Sequence, residues 1–108
     1  MALQVAAVSL EAIEALRPLA VRIRRQDRSL ADQLVRAASS VALNIGEADM
    51  SDPGNQRARF YTAAGSANES LYALRVAVAW GYVGADDIAD VSQLLGDMIR
   101  MLGKLSRR

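Results

Sequence analysis

Arg36, Ser40, Asn44 and Glu47 recur every three or four residues along the stretch RAASSVALNIGE. At about 100° per residue in a helix they share one face, within about 80° of one another. A guanidinium, a hydroxyl, an amide and a carboxylate so arranged could form a polar site with Glu47 as general base. A base needs a partner or a pocket, which spacing alone does not supply. The simpler expectation is a hydrogen-bonding seam against another helix or subunit, or a solvated face. Arg36 and Glu47 stand too far apart along a helix to pair directly. Glu47 is therefore expected to look to Arg59, and Arg36 to Glu69, with Tyr61 and Asn68 as further seam partners.

Three other groups carry chemistry in principle. Asp86, Asp87 and Asp90 could bind a divalent cation, but carboxylates at the start of a helix are explained by its dipole. The chain has no cysteine and no histidine, which removes thiol nucleophiles, most zinc sites and the commonest neutral-pH base. No metal, no cofactor and no catalytic residue is expected. Arg22, Arg24, Arg25 and Arg28, with Arg17 nearby and Asp27 among them, could grip phosphates; the plainer account is a solvated helix end. Finally, Val76 and Trp80 lie off the apolar face of their helix, and Ser92, Gly96, Ile99 and Gly103 make a stripe of mostly small residues. Glycine inside a helix costs about 1 kcal/mol against alanine. These six residues are candidates for contact with another copy of the chain.

The elements that position these groups are helices. The 108 residues suit one domain, 1–108, with one core. Apolar residues are 52% and aromatics 5%, so the core is built from Ala, Leu, Val and Ile. No charge-free run exceeds ten residues, too short to span a bilayer. The N-terminal stretch lacks a basic segment and meets Glu11 and Glu14 early, unlike a secretory signal. Together with the absence of cysteine this points to the cytoplasm. Thirteen basic and twelve acidic side chains give a net charge of +1, so attraction to nucleic acid would need a local cluster.

Four helices with three short breaks are predicted. The first runs from about Leu3 to Arg25 with Leu3, Ala6, Leu10, Ile13, Leu16, Ala20 and Ile23 facing the core, and with a kink or a fresh start at Pro18. The second runs from about Leu30 to Ala48, capped by Asp27 or Ser29, with Leu34, Ala38, Val41 and Ile45 inward. The third starts at Asp52-Pro53 and reaches about Trp80, with Phe60, Ala64, Ala67, Leu71, Leu74 and Val78 inward. The fourth follows Gly81-Tyr82-Val83-Gly84 and buries Ile88, Val91, Leu95, Met98, Leu102 and Leu105. Short breaks make neighbours antiparallel, so the expected fold is all-α, an up-down-up-down four-helix bundle.

With the second and third helices placed, the chain resembles the small four-helix bundle proteins encoded in intervening sequences of bacterial large-subunit ribosomal RNA genes. The resemblance rests on Arg36-Ala37, Ser40-Val41 and Asn44-Ile45-Gly46-Glu47, then Phe60-Tyr61, Gly65-Ser66, Glu69-Ser70-Leu71 and Gly81-Tyr82, and covers about Leu30 to Leu105. Gly46 stands where the family usually has alanine, and Ala48 where it often has glycine. The resemblance implies a bundle that assembles into a ring, a homopentamer, with no established catalytic residues. A related branch, the accessory proteins of diversity-generating retroelements, is strongly basic and works beside nucleic acid; this chain lacks that excess of charge. The expectation is a non-enzymatic self-assembling protein, with a nucleic-acid-binding accessory as the alternative.

Overall fold

The computed structural model describes residues 2–108. Helix α1 spans Ala2–Gln26, α2 Arg28–Ala48, α3 Pro53–Ala79 and α4 Ala89–Ser106, and a single 3-10 turn, Asp86–Ile88, leads into α4. Consecutive helices pack side by side, and α1 closes on α4. The result is an all-α, antiparallel up-down-up-down four-helix bundle, 42 Å long and 22 by 19 Å across.

Each junction has a local cause. Asp27 alone separates α1 from α2. Its backbone is extended and its carboxylate accepts the Leu30 N–H at 3.0 Å, so Asp27, not Ser29, is the cap and α2 starts at Arg28. Asp52 caps α3 in the same way through the Asn55 N–H at 3.0 Å, with Pro53 in the first turn, where its missing N–H costs nothing. Helix α3 is closed by Gly81, two residues past its last turn, whose φ of +80° lets the Tyr82 N–H reach the Ala77 carbonyl at 2.9 Å and the Gly81 N–H the Val78 carbonyl at 2.9 Å. That turn aims the Tyr82 hydroxyl at Asp27, to which it donates at 3.2 Å, tying the α3–α4 loop to the α1–α2 corner.

The core runs through all four helices. In α4 and the 3-10 turn that leads into it, the six expected residues Ile88, Val91, Leu95, Met98, Leu102 and Leu105 are all buried, and in α2 so are Leu34, Ala38, Val41 and Ile45. In α3, Phe60, Ala67, Leu71 and Leu74 are buried, while Ala64 and Val78 sit at the core's edge and Ala63, Ser70 and Ala77 go inside.

Helix α1 corrects the sequence expectation. Leu3 and Leu10 are 85% and 57% exposed, and the buried stripe is Val5, Ser9, Ala12, Leu16, Leu19 and Ile23. Ser9 hides in that stripe because its hydroxyl donates to the Ala6 carbonyl at 2.7 Å, so no polar atom is left unpaired. Nor does the chain start a new helix at Pro18. Helix α1 continues through it, with Pro18 and Glu14 both on the exposed side, where the carbonyl that proline cannot serve faces water.

These contacts set a pH dependence. Asp52 is held below the usual carboxylate range, first by the Asn55 N–H and then by the Asn55 side chain. Asp87 is lowered first by the Arg22 guanidinium, then by the Gly84 N–H. For both, the stabilisation is complete above the unfolded carboxylate pKa and is lost as pH falls through the folded value. Tyr82 is raised, first by burial and then by its bond to Asp27. Its contribution is complete below the unfolded phenol pKa of about 10 and is lost as pH rises through the folded value. Thermal melts are expected to be level near neutrality and to fall on both sides. Asp87→Asn should flatten the acid limb and Tyr82→Phe the alkaline one; limbs of unchanged steepness in both variants would refute the assignment.

Candidate functional site: a polar seam between α2 and α3

The amphipathic phase of α2 that buries Leu34, Val41 and Ile45 turns Ser40 and Asn44 toward α3 and leaves Arg36 and Glu47 outside. Across the interface α3 presents Ser66 and Arg59. The Ser40 and Ser66 hydroxyls lie 2.8 Å apart. The Asn44 amide donates to the Ser40 carbonyl at 2.8 Å and to its hydroxyl at 3.1 Å, and Asn44 Oδ1 accepts from Arg59 at 3.5 Å. Arg59 also pairs with Glu47 at 2.8 Å. The chain Ser66–Ser40–Asn44–Arg59–Glu47 is therefore continuous, half-buried at its serine end and exposed at its charged end. Next to it, Ser51 and Gln56 donate to the last carbonyls of α2, those of Glu47 and Ala48.

The seam holds some expected residues and omits others. Glu47 and Arg59 meet. Arg36 and Glu69 are exposed and form no ion pair among the described residues, and Tyr61 and Asn68 point outward from α3 and take no part. Spacing did not reveal Ser66, Ser51 or Gln56. Ser66 lies one residue after Gly65 on a helix whose polar residues fall on several sides, so nothing in the sequence aligns it with Ser40.

Chemically the seam is self-satisfied. Ser40's hydroxyl contacts a second hydroxyl and an amide, neither of which takes a proton at neutral pH. Glu47, the one carboxylate, is engaged by Arg59 at the surface. The arrangement locks two helices in register and activates no nucleophile. Replacing Asn44 with Leu removes the link between the serines and Arg59. Because the seam is half-buried, the expected loss is about 1 kcal/mol, read as a lower unfolding midpoint in urea; an unchanged midpoint would make the seam ordinary surface.

The other candidate groups disperse. Arg22 pairs with Asp87 on the α4 side at 3.1 Å, and Arg24 with Asp32 on the α2 side at 2.6 Å. Arg25 and Arg28 remain exposed at the same end of the bundle as Asp27, Asp86 and Asp90. Asp87 is occupied by Arg22 and the Gly84 N–H. No cluster of acidic, His or Cys side chains among the described residues could hold a metal ion, and no described helix is long and apolar enough to cross a membrane. On α4, Ser92, Gly96, Ile99 and Gly103 are half-buried and Ile99 packs on the chain's own core. Val76 and Trp80 are exposed at 41% and 70%.

Residues 2–104 match the family model described as 23S rRNA-intervening sequence protein. Among solved structures the chain is similar to a protein from Bacteroides thetaiotaomicron described as having unknown function and belonging to the S23 ribosomal protein family. The TM-score is 0.86 at 19% identity, covering 96% of this chain and 99% of that one. At that identity the likeness speaks for the fold. No curated protein matches the chain.

Proposed function

The chain belongs to the 23S rRNA-intervening sequence protein family, and from that premise we propose that it is a non-enzymatic, self-assembling protein whose working form is a cytoplasmic homo-oligomer. One observation carries the proposal. Among the described residues ten large apolar side chains are exposed, and they gather on α1 and α2 (Leu3, Leu10, Val21, Val35, Leu43, with Met50 just beyond) and on α3 (Tyr61, Tyr72, Val76, with Trp80 at its end). Single exposed leucines are ordinary; two apolar tracts running along helices mark interaction surfaces. The helical glycines add support. A Cβ at Gly46 or Gly65 would meet nothing within 4 Å, and at Gly96 and Gly103 only the guanidinium ends of Arg100 and Arg107. No neighbour inside the chain requires glycine at any of these places, and each costs about 1 kcal/mol of helix stability.

The seam fits this role as a rigid strut that fixes where the two tracts stand. Sedimentation equilibrium tests the proposal: a particle of several 11.6 kDa chains is expected, with five as the number implied by the family resemblance. A monomer at all concentrations would refute it. Of the four arginines of the nucleic-acid alternative, Arg22 and Arg24 are engaged in ion pairs, and only Arg25 and Arg28 have none among the described residues. It would regain ground if binding to structured RNA fell steeply with salt and Arg25→Ala with Arg28→Ala reduced that slope.

A further inference from the structure

The corner between α1 and α2 is a single residue wide. Helical bonding runs into it and out of it: the Asp27 N–H donates to the Ile23 carbonyl at 2.8 Å, and the Asp27 carbonyl accepts from the Ala31 N–H at 3.1 Å. The Asp27 backbone, extended at φ −156° and ψ 94°, makes the bend. No glycine or proline occurs from Leu19 to Ile45, so nothing on either side forces a break. A continuous helix would carry the Arg28, Ser29 and Leu30 N–H groups to the carbonyls of Arg24, Arg25 and Gln26. The bend interrupts that ladder and returns one bond, from the Leu30 N–H to the Asp27 carboxylate. Side chains hold the bend. One oxygen of Asp27 caps Leu30 and the other accepts the Tyr82 hydroxyl at 3.2 Å, while Arg24 pairs with Asp32 across the corner at 2.6 Å.

We infer that this corner is a hinge with a second state, in which α1 and α2 join into one helix, about 70 Å long, and α1 occupies the seat that α1 vacates in a second copy. The seat fits because it is the groove against α2 and α4 that already receives Val5, Ala12, Leu16, Leu19 and Ile23. Left without it, that stripe would face water, so the hinge opens only by exchange. Helix α1 is terminal and its edge with α4 is the narrowest of the four helix contacts, so it can leave without unthreading another element. The exchanged pair keeps the buried contacts of both bundles and re-forms the Arg24–Asp32 pair between copies. It gains backbone bonds at the corner and loses the Asp27 cap. Asp27, with Tyr82 behind it, thus selects between hairpin and exchanged pair. The exchange closes at two chains and uses neither exposed apolar tract, so it stands apart from the self-assembly proposal.

The chain has no cysteine, so spin labels on Leu10→Cys and Leu43→Cys report one distance when labelled chains are refolded from urea among excess unlabelled ones. Both positions are exposed, at nearly the same height on α1 and α2. In the hairpin the labels stand on the order of 20 Å apart, two helix widths; in the joined helix they stand about 50 Å apart. With Asp27 present the short distance is expected. Asp27→Ala is expected to make the long distance the major one, in a fraction that rises with protein concentration. Adding Arg28→Pro should restore the short distance, because proline suits the first turn of a helix and the extended residue before it but breaks a helix interior. Circular dichroism confirms folding. If Asp27→Ala fails to fold, Tyr82→Phe with Arg24→Ala replaces it; this pair removes the other ties and leaves the cap, and a smaller long-distance fraction is expected. A folded variant showing only the short distance overturns the hinge. So does a long distance that survives Arg28→Pro or ignores concentration, since either marks an unseated α1 and not an exchanged one.

Discussion

Leu74→Ala is expected to lower the free energy of unfolding by about 3 kcal/mol, within the roughly 2–5 kcal/mol seen when a buried leucine leaves a cavity. Leu74 is 0% exposed in the middle of α3, in a core that all four helices share. Ile23→Ala should cost a similar amount, because Ile23 is equally hidden on α1. The informative control is Leu10→Ala. Leu10 is 57% exposed, so its removal should change the stability of the monomer by no more than about 0.5 kcal/mol. Urea denaturation of the three variants in dilute solution checks the phase of α1. A Leu10 variant as damaged as the Ile23 variant would mean that the helix is rotated from the orientation described.

Gly46→Ala combined with Gly65→Ala is expected to raise monomer stability by up to about 2 kcal/mol, about 1 kcal/mol for Gly65 in the middle of α3 and at most that for Gly46 in the last turn of α2. Both residues have ordinary helical backbone, and an added methyl group would meet nothing within 4 Å. For a domain of this size that is at most a rise in melting temperature of about 8–16 °C. Gly81→Ala should act in the opposite direction, since its φ of +80° is a conformation in which a Cβ is strained by about 1–2 kcal/mol. Thermal melts at low concentration separate the two effects. If the alanine pair stabilises the monomer while weakening assembly, the glycines are retained for the neighbour they admit. A pair that leaves the melting temperature unchanged would contradict the helix-propensity argument.

Helix α4 was legible residue by residue because Ile88, Val91, Leu95, Met98, Leu102 and Leu105 follow one another at spacings of three and four, with Leu94, Ile99 and Met101 flanking the same face. A stripe of that kind has one possible inward face. Helix α1 offers two overlapping stripes, one through Leu3, Leu10 and Ile13 and one through Val5, Ala12 and Leu19, and periodicity does not choose between them. The choice is made by what α2 and α4 present, together with a serine able to satisfy itself on its own backbone. The same limit applies to the seam. Opposite charges on adjacent helices foretold the Glu47–Arg59 pair, whereas the Ser40–Ser66 contact depends on an axial register that sequence spacing does not encode. Arg36 and Glu69 were matched by charge and left apart by geometry.

The closing of α1 on α4 carries a consequence for the order in which the fold forms. Three of the four helix–helix interfaces join consecutive helices across short turns, so their loop-closure entropy is small. The fourth brings together segments separated by two whole helices, and its Arg22–Asp87 pair spans 65 residues of chain. The hairpin of α2 and α3, which has the broadest contact, is therefore expected to form early, and the α1–α4 edge to zip last and open first. In native-state hydrogen exchange, amides along α1 and α4 would then exchange through a smaller opening than those of α2 and α3. The bundle would have a durable half and a door.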